Sequence, residues 1–287
     1  VFYGLLKYPP FTDQQLSDKL GVKRSTITAI KNKLRKQIFF APCVIPNFSS
    51  LGCELLCVLN GKILEQKLDL NAPEVVFTVE TNKEFLSVII GQKSIDAKKI
   101  VDSLLPHYEG FHRKASFIHY FPYATSYIPR YFIFDGLLQQ LFTFDLPEDA
   151  QESPKLYEPS RELAKNERII LYALTKYPGL SDSDIAWKTG FSRVTVNKTR
   201  KTLFRENFFH VVNLPNIEKL GVELMALFHI KGTKSSPDIP TSVFAIACIR
   251  ESSSISFYSN YTEYKAVQDQ LDKLGQLEVA LFPIRQI

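Results

Sequence analysis

Cations, amides and hydroxyls crowd into one run of this chain, Ser192-Arg193-Val194-Thr195-Val196-Asn197-Lys198-Thr199-Arg200-Lys201-Thr202-Leu203-Phe204-Arg205. The chemistry open to those groups is the recognition of an anion. Wound as a helix of 3.6 residues per turn, Val196, Thr199 and Leu203 share one side at spacings of three and four. Val194, Asn197, Lys198, Lys201 and Arg205 lie across the axis from them. One stripe can dock on a core while the other offers guanidinium, ammonium and amide groups to phosphates and base edges. Just upstream, residues 183–190 read as a short helix closed by Gly190. That is the helix–turn–helix arrangement, whose second helix enters the major groove of DNA.

The elements that position this run occur twice. Tyr8-Pro9 recurs as Tyr177-Pro178, an offset of 169 residues. The same offset relates Asp13 to Asp182, Gly21 to Gly190, Arg24 to Arg193, Leu34 to Leu203, Pro46-Asn47 to Pro215-Asn216, and Leu51-Gly52 to Leu220-Gly221. A period so long belongs to a domain-sized module, not to a solenoid repeat. In the first copy Thr12 is placed to cap a helix from Asp13 to Leu20, Gly21 makes the turn, and residues 24–37 form the reading helix. Its core stripe is Ile27, Ile30 and Leu34. Residues 39–44 read as a short returning wing.

Charge follows the duplication. Of a net +5, residues 1–62 carry nine Lys/Arg against three Asp/Glu, and residues 161–232 twelve against seven. Residues 63–160 are acidic, with nine against fourteen. Positive charge gathered on the two helix–turn–helix segments is the footprint of phosphate binding. DNA-contacting candidates are Lys23, Arg24, Ser25, Thr28, Lys31, Asn32 and Lys36 in copy one. In copy two they are Ser192, Arg193, Asn197, Lys198, Arg200, Lys201 and Arg205.

Other chemistries find little support in the pattern. His107, His112, His119, His210 and His229 share no metal-ligand spacing. No phosphate-binding glycine loop or nucleophile elbow is present, so neither cofactor nor metal is expected. Cys43, Cys53 and Cys57 are matched in copy two by Val212, Val222 and Ala226. That substitution pattern reads as small, apolar and buried, and with Cys248 it suggests a reducing cytoplasm. No apolar run approaches the ~20 residues of a membrane span. Val1 corresponds to Ile170 in mid-helix, so the numbering is read as starting inside a longer native chain.

Beyond each wing, copy one continues as strands over 53–62, 75–79 and 85–90, a helix over 94–108 and a strand over 115–121. Copy two repeats the order with strands over 223–231, 242–249 and 255–258, a helix over 264–274 and a strand over 278–283. The fold class expected is α+β, a winged helix-turn-helix followed by a ferredoxin-like domain, twice. The domains are then 1–45, 46–121, an apolar insertion and acidic Pro-rich linker at 122–160, 161–214 and 215–287. The insertion is expected to pack between the copies, and Tyr123, Tyr127, Tyr131 and Phe132 could line an effector pocket there.

With the helix–turn–helix, the Pro-Asn-x-x-x-Leu-Gly turns at 46–52 and 215–221 and the β-β-β-α-β order in hand, each copy resembles the Lrp/AsnC regulators of prokaryotes. The resemblance implies sequence-specific binding of double-stranded DNA, no enzymatic activity, and association as a homodimer or as a pseudo-dimer within one chain. It also implies a small-molecule effector. The family's Gly-x-x-Asp effector turn, however, would fall at 81–84 and 250–253, which match in neither copy. Two alternatives share the architecture. Sirohaem decarboxylases handle a tetrapyrrole through a strand bearing His, Tyr and Arg, and the corresponding strands here, 75–80 and 244–249, carry no His. A winged helix can also serve protein contacts, and Val194 and Phe204 in place of Ser25 and Arg35 favour that use in copy two.

Overall fold

The computed structural model describes residues 1–63, 75–81, 83–93, 98–99, 102, 108–109, 117–123, 125–142, 161–233 and 237–284. The expected loop at 64–73, most of the helix at 94–108 and the acidic linker lie outside them. The described parts of Val1–Leu51, Phe132–Phe144 and Tyr157–Leu220 form one compact unit, and those of Gly52–Tyr131 and Gly221–Ile287 a second.

The first unit contains both winged helices. In copy one α1 spans Phe2–Lys7, α2 Asp13–Leu20 and α3 Arg24–Lys36, followed by strand β1 at Phe40–Pro46. Helix α4, Asp135–Phe142, comes from the insertion, and Phe134, Leu137 and Leu138 are buried. Copy two supplies α5 at Lys165–Lys176, α6 at Asp182–Thr189, α7 at Arg193–Arg205 and strand β8 at Phe209–Pro215. Local chemistry sets these ends. Thr12 and Gln15 form a reciprocal capping box at α2, and Ser181 and Asp184 do the same at α6. Gly21 and Gly190 close those helices at φ 64° and 75°, the left-handed conformation that costs glycine least.

The wing differs from expectation. Among the described residues each copy contributes one strand, and β1 pairs antiparallel with β8, from Phe40 opposite Pro215 to Pro46 opposite Phe209. Reciprocal hydrogen bonds extend the pairing: the Asn47 N–H donates to the Phe208 carbonyl at 2.9 Å and that of Asn216 to Phe39 at 2.8 Å. No turn residues interrupt either strand to fold it back on itself, so each edge is satisfied by its counterpart. Val44 of copy one thereby joins the core of Ile170, Leu174, Ile185, Val196, Leu203 and Phe208 in copy two.

The second unit holds two antiparallel sheets. In one, β3 (Val75–Glu80), β4 (Glu84–Gly91) and β2 (Leu55–Ile63) lie in that order, with β5 (Tyr108–Glu109) and β6 (Phe117–Pro122) both beside β2. The other sheet has five strands. In order they are β12 (Gln276–Pro283), β9 (Leu224–Lys231), β11 (Glu251–Tyr258), β10 (Ser242–Ala247) and β7 (Tyr127–Tyr131). Strand β7 is part of the insertion. It does not act as loose filling but adds an edge strand to the sheet of copy two. Helix α8, Tyr261–Leu271, packs Tyr264 and Leu271 on Ala226, Phe228, Ile230 and Tyr258. The fold class is α+β, two copies of a winged helix followed by a ferredoxin-like domain. Among the described residues no helix is long and apolar enough to cross a membrane.

Candidate functional site

The reading helices α3 and α7 divide their polar residues between two jobs. Thr28 donates to Asp13 at 2.6 Å, and the Lys31 ammonium lies 2.7 Å from the other oxygen of that carboxylate. These bonds, led by the one from Lys31, hold the Asp13 carboxyl below its ordinary pKa. Copy two repeats the brace with different groups. Asn197 donates to Asp182 at 2.6 Å, while Arg200 pairs with it at 3.1 Å and reaches the Leu180 carbonyl at 3.4 Å. Four candidates for DNA contact, Thr28, Lys31, Asn197 and Arg200, therefore tie each reading helix to the helix before it. Ser192 caps α7 by accepting from Thr195 N–H at 3.0 Å. Lys23, Arg24, Ser25, Asn32 and Lys36 are exposed, as are Arg193, Lys198, Lys201 and Arg205.

A second cluster forms where β6 meets the sheet of copy two. Strand alternation puts Phe228 and Ile230 toward α8 and His229 and Lys231 on the opposite face. On that face His229 stands opposite Glu278 of β12 and Ser253 of β11, and Lys231 opposite Glu251. Onto it β6 lays His119. The two imidazoles stack with centroids 3.2 Å apart and planes 11° from parallel. Phe117 flanks His119 at 4.8 Å, and Phe121 meets His229 edge-on at 6.3 Å.

Polar contacts define what each ring can do. His119 Nε2 is 3.1 Å from Glu278, whose other oxygen lies 3.0 Å from Lys231 Nζ. His229 Nδ1 shares a 2.8 Å hydrogen bond with the Ser253 hydroxyl. Its Nε2, 3.4 Å from Glu251, is buried and has no hydrogen-bond partner. His229 is fully buried and His119 nearly so, whereas Glu251 and Glu278 are each a little under one-third exposed. Burial lowers the His119 pKa to about 4 against the opposing pull of Glu278. Burial, then His119 and Lys231, lowers that of His229 to about 2. Both rings are neutral at pH 7, beside carboxylates that reach solvent.

One ligand atom each from His119, His229 and Glu251 falls within a 4.8 Å cluster, the spread of a metal site. The ring geometry argues otherwise. Nitrogen lone pairs point along the ring plane, and no cation can lie in two near-parallel planes 3.2 Å apart. The arrangement suits hydrogen bonding and proton transfer.

These histidines were invisible to spacing, since they stand 110 residues apart on different copies. One sign was present: the residue 169 before His229 is Asn60, so the duplicated position had diverged toward a titratable group. Neither ring comes from the strands at 75–80 or 244–249, which carry no His. Of the aromatic residues expected near an effector, Tyr127 and Tyr131 lie on β7 and Tyr123 follows β6.

No protein-family model and no curated protein matches the chain. Solved structures do. The sirohaem decarboxylase NirDL superposes with a TM-score of 0.52 at 13% identity, covering 98% of this chain and 86% of that one. An AsnC family transcriptional regulator from Agrobacterium tumefaciens gives a TM-score of 0.35 at 15% identity, covering 44% of this chain and 92% of that one. LrpC of B. subtilis gives 0.35 at 13%, covering 42% and 95%. At these identities the likeness is one of fold, a winged helix followed by a ferredoxin-like domain. The expectation of a non-enzymatic chain is corrected: the neighbour that spans nearly the whole length is an enzyme.

Proposed function

We propose that the chain is an enzyme that removes carboxyl groups from a tetrapyrrole, in the manner of a sirohaem decarboxylase. The observation that carries this reading is the buried His119–His229 pair between Glu251 and Glu278; the substrate class is taken from the neighbour that covers 98% of this chain. Loss of carbon dioxide from an acetate side chain breaks a carbon–carbon bond and leaves the electron pair on carbon, which must then take up one proton. A site that excludes water disfavours the charged carboxylate and favours the neutral products, and Phe117 and Phe121 supply such walls. The proton comes from solvent: Glu278, a little under one-third exposed, is placed to relay it to His119, and the imidazolium so formed hands it to the carbon and returns to the neutral ring. His229, held by Ser253, offers its partnerless Nε2 to a substrate oxygen.

The test is anaerobic incubation of the full chain with sirohaem, followed by mass spectrometry of the pigment. Successive loss of carbon dioxide is expected from the native protein and not from His119→Ala. Unchanged pigment, with no absorbance shift on mixing, would overturn the assignment.

A second reading, a DNA-binding regulator whose modules act as a pseudo-dimer, is favoured by the cations that remain exposed along α3 and α7. Arg24, Arg193 and Lys36 would hold phosphates, and Asn32, Lys198 and Lys201 would face bases. Thr28, Lys31, Asn197 and Arg200 would then set the helix orientation. Gel shifts on random duplexes at two salt concentrations test it, because phosphate binding weakens steeply with salt.

A further inference from the structure

Within the winged-helix unit a cavity of ≈ 230 Å³ opens between the two copies. Its wall takes Lys31 and Arg35 from α3, Arg200 from α7, Tyr8 and Tyr177, and the Cys43 thiol from β1. Lys31 and Arg200 occupy equivalent positions in the duplication, as do Tyr8 and Tyr177. No Asp or Glu lines it among the described residues. Asp13 and Asp182 brace Lys31 and Arg200 without lining the cavity themselves.

One nitrogen of Arg200 is left without a hydrogen-bond partner. Arg200 gives one terminal nitrogen to Asp182 and the other to the Leu180 carbonyl, but its Nε is buried and has no hydrogen-bond partner. The cavity wall itself carries three cationic side chains and two tyrosines, with Asp13 and Asp182 paired to two of the cations from behind. We propose that this cavity is a binding site for a small anion carrying one ring, an aryl phosphate or aryl carboxylate in size, held by Lys31, Arg35 and Arg200 and flanked by Tyr8 and Tyr177. The volume falls just below the ~300–1,000 Å³ of pockets for drug-sized ligands, which sets the upper size. An occupant touches both reading helices, so its binding couples the two copies. The site belongs to the winged-helix unit and does not depend on the decarboxylase reading.

Cys43 provides a local reporter, with Cys248 as an internal control, since both thiols are partly exposed. The full chain is alkylated with N-ethylmaleimide in the presence of phenyl phosphate, phenol or inorganic phosphate, and modification is mapped by mass spectrometry. Phenyl phosphate is expected to protect Cys43 saturably and leave Cys248 unchanged, with phenol at least about tenfold weaker. Inorganic phosphate should compete. The Lys31→Gln/Arg200→Gln double variant should need about tenfold more phenyl phosphate. Should that variant fail to fold, Arg35→Gln, which leaves both braces intact, must weaken protection instead. Equal protection by phenol, equal protection of Cys248, or no protection at all would overturn the proposal.

Discussion

Acid should loosen the sheet that carries His229 well before it protonates the folded site. The perturbation is a change from pH 7 to pH 5. In the unfolded chain an imidazole titrates near 6.5, whereas His119 is lowered to about 4 and His229 to about 2. A lowered histidine contributes stability that is complete above 6.5 and is lost as pH falls toward the folded value, because only the unfolded state takes up the proton. At pH 5 each ring has cost about 2 kcal/mol relative to pH 7, or about 4 kcal/mol for the pair. Glu278, Glu251 and Lys231 are the charged groups that face the rings.

Hydrogen exchange with mass spectrometry reads the effect locally, on peptides across β9 and β11, after correction against an unstructured reference for the intrinsic pH dependence. Native protein should show opening made easier by about 4 kcal/mol at pH 5, and His119→Gln or His229→Asn should each halve that fall. Peptides of the first unit should instead follow His210, which burial lowers to about 4. If both variants keep the full pH dependence, the rings are not held neutral and the proton-transfer role falls with them.

Three further outcomes follow from the geometry. Ile38 is exposed and sits at φ 54°, where its counterpart Asn207 adopts φ 56°; Ile38→Asn should raise stability by about 1 kcal/mol in urea titrations followed by circular dichroism. Ser192→Ala removes the side-chain cap of α7 and should cost about 1 kcal/mol in the same assay. Asp13→Ala strands Lys31 and Thr28 and should lower stability by about 1 kcal/mol in the same assay. A gain of stability from Asp13→Ala would mean the brace does not hold α3.

Local elements were legible because local chemistry sets them. Thr12, Gly21 and the stripe of Ile27 and Leu34 mark the helix–turn–helix without reference to anything distant, and copy two confirms each mark at a constant offset. The strands of the ferredoxin-like sheets likewise follow from β-branched and aromatic runs. What the sequence hid was long-range. Asp13 and Asp182 read as ordinary first-turn acids, yet they claim Lys31 and Arg200 from the next helix, and no periodicity reveals that. His119 and His229 meet only because one sheet packs on another, and sheet packing leaves no fixed spacing along the chain. The fate of β1 and β7 was hidden for the same reason: an edge strand does not state in its own residues which neighbour will complete it.

The cross-copy pairing of β1 with β8 has a practical consequence for anyone who divides this chain. Either half alone would expose a seven-residue edge ready to recruit a stranger. Split products should therefore self-associate, while the two halves produced together should knit back into a complex. Covalent fusion also frees each position to change once instead of twice, and the equivalent pairs Asn60/His229 and Arg35/Phe204 are divergences that a symmetric pair of identical subunits could never have held.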